Sequence, residues 1–374
     1  MSAPTRPGHQ MAMMAAFTGL IIGMPLFGLV TTRRPLAPYL QFPPLTRHVV
    51  HEGFSWTIFF IYAAIEAAIV AVLLSAARRT VPGAGKPPRP VHHSFPWWGW
   101  AGLMLGGASW VLAWTRFEWF APLQPHTFVP LWLSYILVVN GLCRRRSGSC
   151  PMIRRPLFFL FLFPLSALFW WYFEFLNRFV QNWWYTGVQF GPARYTLYAS
   201  LSFSTVLPAV LSTREWIGGL AAIRNRFHDL PPVRWEHGGA IAFAVLAVAA
   251  ASLFGIGLYP NLLFPLLWIS PLLILVSLQS LAGQRHVFSQ MAAGDWRPAV
   301  SAALAGLVCG FFWELWNIFS LAKWVYTIPY VQRFHLFEMP VLGYMGYLPF
   351  GLECLSVAGW IEPNFQRRRH GIGG

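Results

Sequence analysis

The sequence predicts an all-α, polytopic integral membrane protein with about ten transmembrane helices. Of its 374 residues, 56% are hydrophobic and 10% are charged, whereas about a quarter of the residues in a soluble domain are charged. Apolar runs of about 20 residues, the length that crosses a bilayer as a helix, recur along the whole chain. We therefore expect a single transmembrane domain over residues 1–374, without a sizeable soluble domain.

The predicted spans are apolar runs separated by short loops. The first run is long for the hydrophobic part of a signal peptide and lacks a clear cleavage site, so we interpret it as a retained helix. The ten spans are predicted at about residues 11–30, 55–77, 97–115, 128–143, 157–176, 195–211, 240–258, 262–281, 299–320 and 339–360.

The arginines predict the orientation of these spans. Every even-numbered connection is basic, as at residues 78–89, 144–146 and 367–369. Because cytoplasmic loops carry an excess of basic residues, we expect both termini to be cytoplasmic, in a bacterial-type inner membrane. This topology explains the net charge of +15 better than a nucleic-acid partner does, since the arginines lie in short loops and not on one amphipathic face.

The opposite, outward-facing loops are rich in aromatic residues and proline, at residues 35–54, 117–127, 178–194 and 323–338. Tryptophan and tyrosine favour the membrane interface because an apolar ring carries a polar edge. An aromatic belt therefore explains many of them. Because the inward loops carry fewer rings, we expect the outward face to be the functional face and to contain an aromatic pocket.

A weak internal repeat of parallel two-helix units is predicted at about residues 97–143, 157–211, 240–281 and 299–360. Its mark is a glutamate at the end of an outward-going helix, before an aromatic loop, at Glu118, Glu174 and Glu314. The unit at residues 240–281 lacks the glutamate. After Glu174 and Glu314 an asparagine follows by three residues and a tryptophan by ten. Parallel repeats occur in transport folds, but duplication also occurs in membrane enzymes.

The two Glu-x-x-Asn pairs, Glu174 with Asn177 and Glu314 with Asn317, are the predicted catalytic residues. A rise of about 1.5 Å per residue places both acids in the outer third of a hydrocarbon core about 30 Å thick. Residues three apart share a helix face, so each amide could orient its acid or hold a substrate oxygen. Apolar surroundings favour the neutral form of a carboxyl group, which would suit a general acid or base.

The two pairs differ in their neighbourhood. Glu174 has Arg178 four residues later and could simply be ion-paired, whereas Glu314 has Ile318 there. Glu314 is therefore the better candidate, since intramembrane acids are functional by default.

Aromatic residues around both pairs are predicted to bind the substrate together with Arg178. Aromatic faces stabilise cationic ligands, although anchoring at the membrane interface is the alternative for most of these rings. The predicted binding residues are Arg178, Trp170, Trp171, Trp184, Trp313, Trp316, Trp324 and Tyr326.

Two further acids lie at other depths, Glu66 in the second span and Glu353 in the tenth. Together with Glu314 they could form a path for protons or a cation. The alternative is that each is neutral or hydrogen-bonded and contributes to packing. We expect no cofactor and no metal, because the four cysteines lack zinc-site spacing and the His48-x-x-His51 pair lies in a proline-containing loop.

Three functions remain open on these grounds. The first is an enzyme acting on a membrane lipid or another hydrophobic, isoprenoid-like small molecule by glutamate general acid/base chemistry. The second is a transporter or exporter with a glutamate-based proton or cation path. The third is a non-catalytic subunit that assembles with other membrane subunits.

Overall fold

The computed structural model describes residues 7–44, 46–78, 93–234 and 237–370, and most of them are helical. The basic segment predicted at residues 79–89 lies outside the described residues. The helices are α1 Pro7–Thr31, α2 Ala37–Leu40, α3 Trp56–Arg78, α4 Trp97–Trp114, α5 Phe128–Ser147, α6 Pro151–Arg154, α7 Pro156–Val180, α8 Pro192–Phe203, α9 Val206–Gly218, α10 Ala221–Arg226, α11 Gly238–Leu258, α12 Pro260–Leu263, α13 Leu266–Leu281, α14 Arg297–Asn317 and α15 Tyr347–His370. The strands are β1 Trp183–Thr186, β2 Lys323–Tyr326, β3 His335–Leu336 and β4 Met339–Pro340.

Eight helical segments in the described ranges are long and apolar enough to cross a membrane. The fold is therefore mostly helical with almost no sheet, as the sequence predicts. The count of ten spans stays a prediction. The other two predicted spans, α4 and α13, are not among these eight. Tryptophans lower the mean hydropathy of α4, and α13 is short, with 16 residues.

Two of the predicted spans have different boundaries in the structure. The sixth is divided into α8 and α9 around Ser204 and Thr205. Ser166 of α7 bridges this break, because its hydroxyl donates to the carbonyl of Phe203 at 2.5 Å and accepts from the amide of Leu207 at 3.0 Å. The tenth begins as a helix only at Tyr347, since β4 and a 3₁₀ turn at Val341–Gly346 precede it.

Helix α14 has the largest buried share of the eight candidate spans and packs against α9 and α15. Its contact with α15 depends on glycine: a Cβ atom at Gly306 would lie 2.1 Å from the carbonyl oxygen of Tyr347, and one at Gly351 2.1 Å from that of Ala302. Small residues allow helix backbones to approach closely in membranes. By contrast, α3 is peripheral, since none of the residues in its most apolar stretch is buried.

Strands β1 and β2 pair in an antiparallel two-stranded sheet that connects the ends of α7 and α14. The Cα partners are Trp183 with Tyr326, Trp184 with Val325, Tyr185 with Trp324 and Thr186 with Lys323. The repeat of four hairpin units stays a prediction, because α4 and α11 are followed by short helical turns where α7 and α14 are followed by these strands.

Candidate functional site

Glu174 lies near the end of α7, and its carboxyl group is fully buried. The helix ends at Val180, Gln181 takes a left-handed conformation with φ of 50°, and the chain returns as β1. This return brings Trp183 and Tyr185 to the carboxyl group. Glu174 Oε1 accepts hydrogen bonds from Trp183 Nε1 at 3.1 Å, from the Tyr185 hydroxyl at 2.6 Å and from Trp170 Nε1 of the same helix at 3.0 Å.

Glu314 lies at the corresponding place near the end of α14 and is also fully buried. Its Oε1 accepts hydrogen bonds from the hydroxyl groups of Tyr326 at 2.8 Å and Tyr347 at 2.7 Å. The Tyr326 hydroxyl in turn accepts from Trp324 Nε1 at 2.9 Å. Glu314 is thus held by one tyrosine from β2 and one from α15.

The sheet relates the two sites to each other. Side chains two apart on a strand share a face, and directly opposite residues in an antiparallel pair also share it. Trp183 and Tyr185 therefore lie on the same face as Tyr326 and Trp324, their respective partners across the sheet. Burial raises the pKa of Tyr185 and of Tyr326 well above the ordinary value, so both phenols stay protonated and can donate.

Each carboxyl group has one oxygen with several donors and one without a partner. Within the described residues, Glu174 Oε2 and Glu314 Oε2 are buried and have no hydrogen-bond partner. A buried unsatisfied oxygen is costly, by about 1–3 kcal/mol. The arrangement therefore fixes each carboxyl group through Oε1 and leaves Oε2 available to hold a proton or contact another molecule.

The two asparagines bind the backbone of the strands. Asn177 donates from Nδ2 to the carbonyl of Trp183 at 2.8 Å and accepts the amide of Asn182 at 2.8 Å. Asn317 donates to the carbonyl of Trp324 at 2.7 Å and accepts the amide of the same residue at 3.0 Å. Each amide therefore acts on its glutamate indirectly, by holding the strand that carries the donors.

Arg178 also binds backbone. Its guanidinium group donates to the carbonyl oxygens of Tyr39 and Gln41, and so fixes the segment around α2 over the end of α7. Among the ion pairs of the described residues, none joins Arg178 to Glu174. These contacts therefore do not include the simple ion pair between Glu174 and Arg178 that the sequence left open.

Of the predicted tryptophans, Trp170 and Trp313 approach each other between the two sites, with ring centroids 6.4 Å apart. Phe350 of α15 contacts both rings, at 5.6 and 5.9 Å. Trp324 donates to Tyr326, as described. The structure thus places four of the predicted aromatic residues, Trp170, Trp313, Trp324 and Tyr326, in one cluster around the carboxyl groups.

The other three predicted tryptophans lie elsewhere. Trp171 donates to Ser200 Oγ at 3.0 Å. Trp184 is on the opposite face of the sheet, where its ring meets the edge of His48 at 5.8 Å. Trp316 packs against Trp132, with ring centroids 5.2 Å apart.

The two acids of the predicted proton path have different surroundings. Glu353 is 1% exposed, and its Oε2 is buried without a partner among the described residues. It follows Tyr347 by six residues on α15, or about 9 Å along the helix axis. Glu66 is only partly buried and lies on the peripheral helix α3.

Trp183, Tyr185 and Tyr347 are donors to the carboxyl groups that are not among the predicted catalytic and binding residues. The alternation of Trp183 with Tyr185, and of Trp324 with Tyr326, is a strand pattern that could have indicated the first two. The contact of Tyr347 could have been indicated by Gly306-x-x-x-Gly310, because small residues four apart in an apolar helix let a neighbouring helix approach closely. A Cβ atom at Gly310 would lie 2.2 Å from the Tyr347 ring.

The histidines considered for a metal form other contacts. His51 Nδ1 lies 2.9 Å from Asn261 Oδ1, and its Nε2 lies 3.1 Å from the carbonyl oxygen of Gln181. In the described part of the chain, no group of three or more His, Cys, Asp or Glu side chains is placed to hold a metal ion.

Eight described helical segments are long and apolar enough to cross a membrane, and together with the buried aromatic clusters they indicate a helical membrane protein. Comparison of the chain with models of protein families, with curated proteins and with solved structures found no match.

Proposed function

We propose that the protein is a membrane enzyme that acts on a lipid or isoprenoid-like substrate, with Glu314 as the general acid or base and Glu174 as a second, supporting carboxyl group. The observation that carries the proposal is the asymmetry of each carboxyl group. Oε1 is fixed by aromatic donors, while Oε2 is buried and unpartnered among the described residues. Intramembrane acids of this kind are functional by default.

The chemistry would be a proton transfer between Glu314 Oε2 and the substrate. As a general acid, the carboxyl group would give its proton to the substrate and become a carboxylate, whose charge the two phenol donors on Oε1 stabilise. A positive charge that develops on an apolar substrate would be stabilised by nearby aromatic faces such as those of Trp313 and Trp170. The proton would return to the carboxylate when the product forms.

Glu314 is better suited to this role than Glu174 because of its donors. A phenol can both donate and accept a hydrogen bond, whereas an indole can only donate. Glu314 accepts from two phenols, while two of the three donors of Glu174 are indoles. Glu174 is therefore assigned to binding or charge stabilisation.

An open apolar groove on the surface of α4 suits a chain-like hydrophobic substrate. It has a volume of about 450 Å³ and is lined by Gly107, Trp110, Val111, Trp114 and Thr115. This volume lies within the range of ligand pockets, roughly 300–1,000 Å³. The Trp110 ring contacts Trp316, two residues after Glu314, at a centroid distance of 6.1 Å.

The test is the lipid composition of bacterial cells that express the full chain. We expect mass spectrometry of total lipid extracts to show a lipid or isoprenoid species that is gained or depleted with the wild-type protein and unchanged with Glu314→Gln. Glu118→Gln is the matched control, because Glu118 belongs to the same sequence pattern but is exposed. A lipid change that persists in Glu314→Gln would remove Glu314 from the mechanism.

A proton-coupled transporter is the second candidate, and Glu353 is the observation that favours it. Its carboxyl oxygen Oε2, unpartnered among the described residues, lies on the helix that also supplies Tyr347 to Glu314, so a proton path between the two acids would run along α15. Proteoliposomes with an internal pH dye test this function. Proton flux that is lost in Glu353→Gln, without any change in lipid composition, would favour transport over the enzyme.

A non-catalytic subunit is the remaining function from the sequence. This function predicts stable co-purification with another membrane protein. It predicts neither a lipid change nor proton flux.

A further inference from the structure

A half-open cavity of about 400 Å³ with several charged lining residues lies at the other end of α14 from Glu314. It lies between the end of α5, the end of α9, helix α10 and the segment that leads into α14. Its charged lining residues are Arg146, Arg214, Glu215, Arg224, Asp295 and Arg297. Four arginines and two acids give this lining an excess of two positive charges.

Both acids are already neutralised by arginines. Asp295 accepts two hydrogen bonds from Arg297, at 2.8 and 2.9 Å, and these bonds hold the pKa of Asp295 below its usual value. Glu215 accepts from Arg154 Nη2 at 2.7 Å. The positive charges of Arg146, Arg214 and Arg224 are therefore left in excess.

These three arginines have few anionic partners. In the part of the chain that the structure describes, their one ion pair is the 3.7 Å contact between Arg214 Nη1 and Glu215 Oε2, which is too long for a hydrogen bond. Arg214 Nε is buried and has no hydrogen-bond partner there. Arg146 donates to the carbonyl of Trp216 at 2.8 Å and lies over the Trp216 ring.

We propose that this cavity binds a phosphate group. The guanidinium fork of arginine matches the oxygens of phosphate, and an unpaired buried donor needs an acceptor. Basic pockets between transmembrane helices on the cytoplasmic side suit the headgroups of anionic lipids. A phosphorylated small molecule presents the same group, so the experiment distinguishes these two sources.

The site is separate from the paired carboxyl groups. Arg297 and Glu314 are 17 residues apart on one helix, which corresponds to about 25 Å. Phosphate binding is therefore expected to survive in Glu314→Gln, and a failure of either proposal leaves the other intact.

The experiment measures binding to the full-length protein in a zwitterionic detergent at constant ionic strength. One arm uses radiolabelled inorganic phosphate in equilibrium dialysis, and the other uses native mass spectrometry with phosphatidylglycerol against phosphatidylcholine. In Arg214→Gln we expect binding to weaken by about tenfold or more, since hydrogen bonds between charged groups are lost. Arg234→Gln is the matched control, because Arg234 is exposed and binds the carbonyl of Ala292.

Gly218→Leu tests the cavity without changing its charge. A Cβ atom at Gly218 would meet only Ser301, at 3.9 Å, so a larger side chain can extend into the cavity and is expected to block binding while the protein stays folded. Binding of inorganic phosphate without phosphatidylglycerol assigns a phosphorylated small molecule, and binding of phosphatidylglycerol in preference to phosphatidylcholine assigns a lipid headgroup. Binding in neither arm, or unchanged binding in both Arg214→Gln and Gly218→Leu, would overturn the proposal.

Discussion

The two Glu-x-x-Asn sites have the same plan but different connections to the rest of the molecule. In both, a buried glutamate near the end of a helix is held by a strand whose backbone an asparagine binds. All donors to Glu174 lie within sixteen residues of chain, from Trp170 to Tyr185. Glu314 instead takes one of its two donors, Tyr347, from the next long helix.

This difference means that the Glu174 site is local, whereas the Glu314 site depends on tertiary packing. The Tyr347 hydroxyl reaches Glu314 because α14 presents glycine at the positions that face Tyr347. A substitution on α14 or α15 can therefore disturb the Glu314 site and leave the Glu174 site unchanged. Substitutions that act on only one of the two sites therefore separate them.

The largest effect is expected for Gly310→Ala. The new Cβ atom would lie 2.2 Å from the Tyr347 ring, so the ring and α15 must move away from Glu314. Overpacking of this kind costs about 1–3 kcal/mol. Thermal unfolding of the purified protein in detergent should show a lower midpoint temperature.

Gly107→Ala is the control for that substitution. Gly107 lies in α4, and a Cβ atom there meets nothing within 4 Å. Its midpoint should stay unchanged or rise slightly, since alanine is favoured over glycine in a helix by roughly 0.5–1 kcal/mol. Equal midpoints for both variants would show that the close contact between α14 and α15 does not limit stability.

An effect of the same order or smaller is expected when the side-chain amides that hold the strands are removed. Asn177→Ala leaves the buried carbonyl of Trp183 and the amide of Asn182 without their partner, at a cost of about 1–3 kcal/mol. Asn317→Ala should destabilise less, because its bonds involve the backbone of Trp324 alone and are partly buried. The free energy of unfolding in a denaturing detergent measures both.

Asn177→Asp and Asn317→Asp provide the comparison within this pair. Each keeps the acceptor for the backbone amide and loses the donor to the carbonyl, so each should fall between wild type and the alanine variant. A larger loss for Asn317→Ala than for Asn177→Ala would contradict the view that the Glu174 site depends more on its own strand.

The sequence was sufficient to predict the helical membrane class and both Glu-x-x-Asn pairs, because long apolar runs and buried acids are local patterns. It was not sufficient for the partners of the acids. Tyr347 is 33 residues from Glu314, and this contact follows from the packing of α15 on glycines of α14. The pairing of β1 with β2 likewise joins segments about 140 residues apart, which no local pattern specifies.

The contacts of Asn177, Asn317 and Arg178 are also ones that the sequence does not specify. The sequence suggested that each amide orients its acid or holds a substrate oxygen and that Arg178 binds the substrate, whereas in the structure the three side chains bind backbone groups. Backbone that leaves a helix inside an apolar environment must satisfy its own polar groups. A polar side chain at a helix end is therefore used for this purpose before it can serve chemistry.

The smallest effect on stability, and the sharpest separation of the two sites, is expected for single tyrosine-to-phenylalanine substitutions. Tyr347→Phe and Tyr185→Phe each remove one hydrogen bond to a buried carboxyl group, and in membrane proteins such bonds contribute about 0.6 kcal/mol. Thermal midpoints should therefore change little. If Glu314 performs the proton transfer, Tyr347→Phe should reduce the lipid change of expressing cells more than Tyr185→Phe, because Glu314 keeps one direct donor and Glu174 keeps two. The reverse order would assign the chemistry to Glu174, because the loss of one hydrogen-bond donor would then affect the lipid change more at that site.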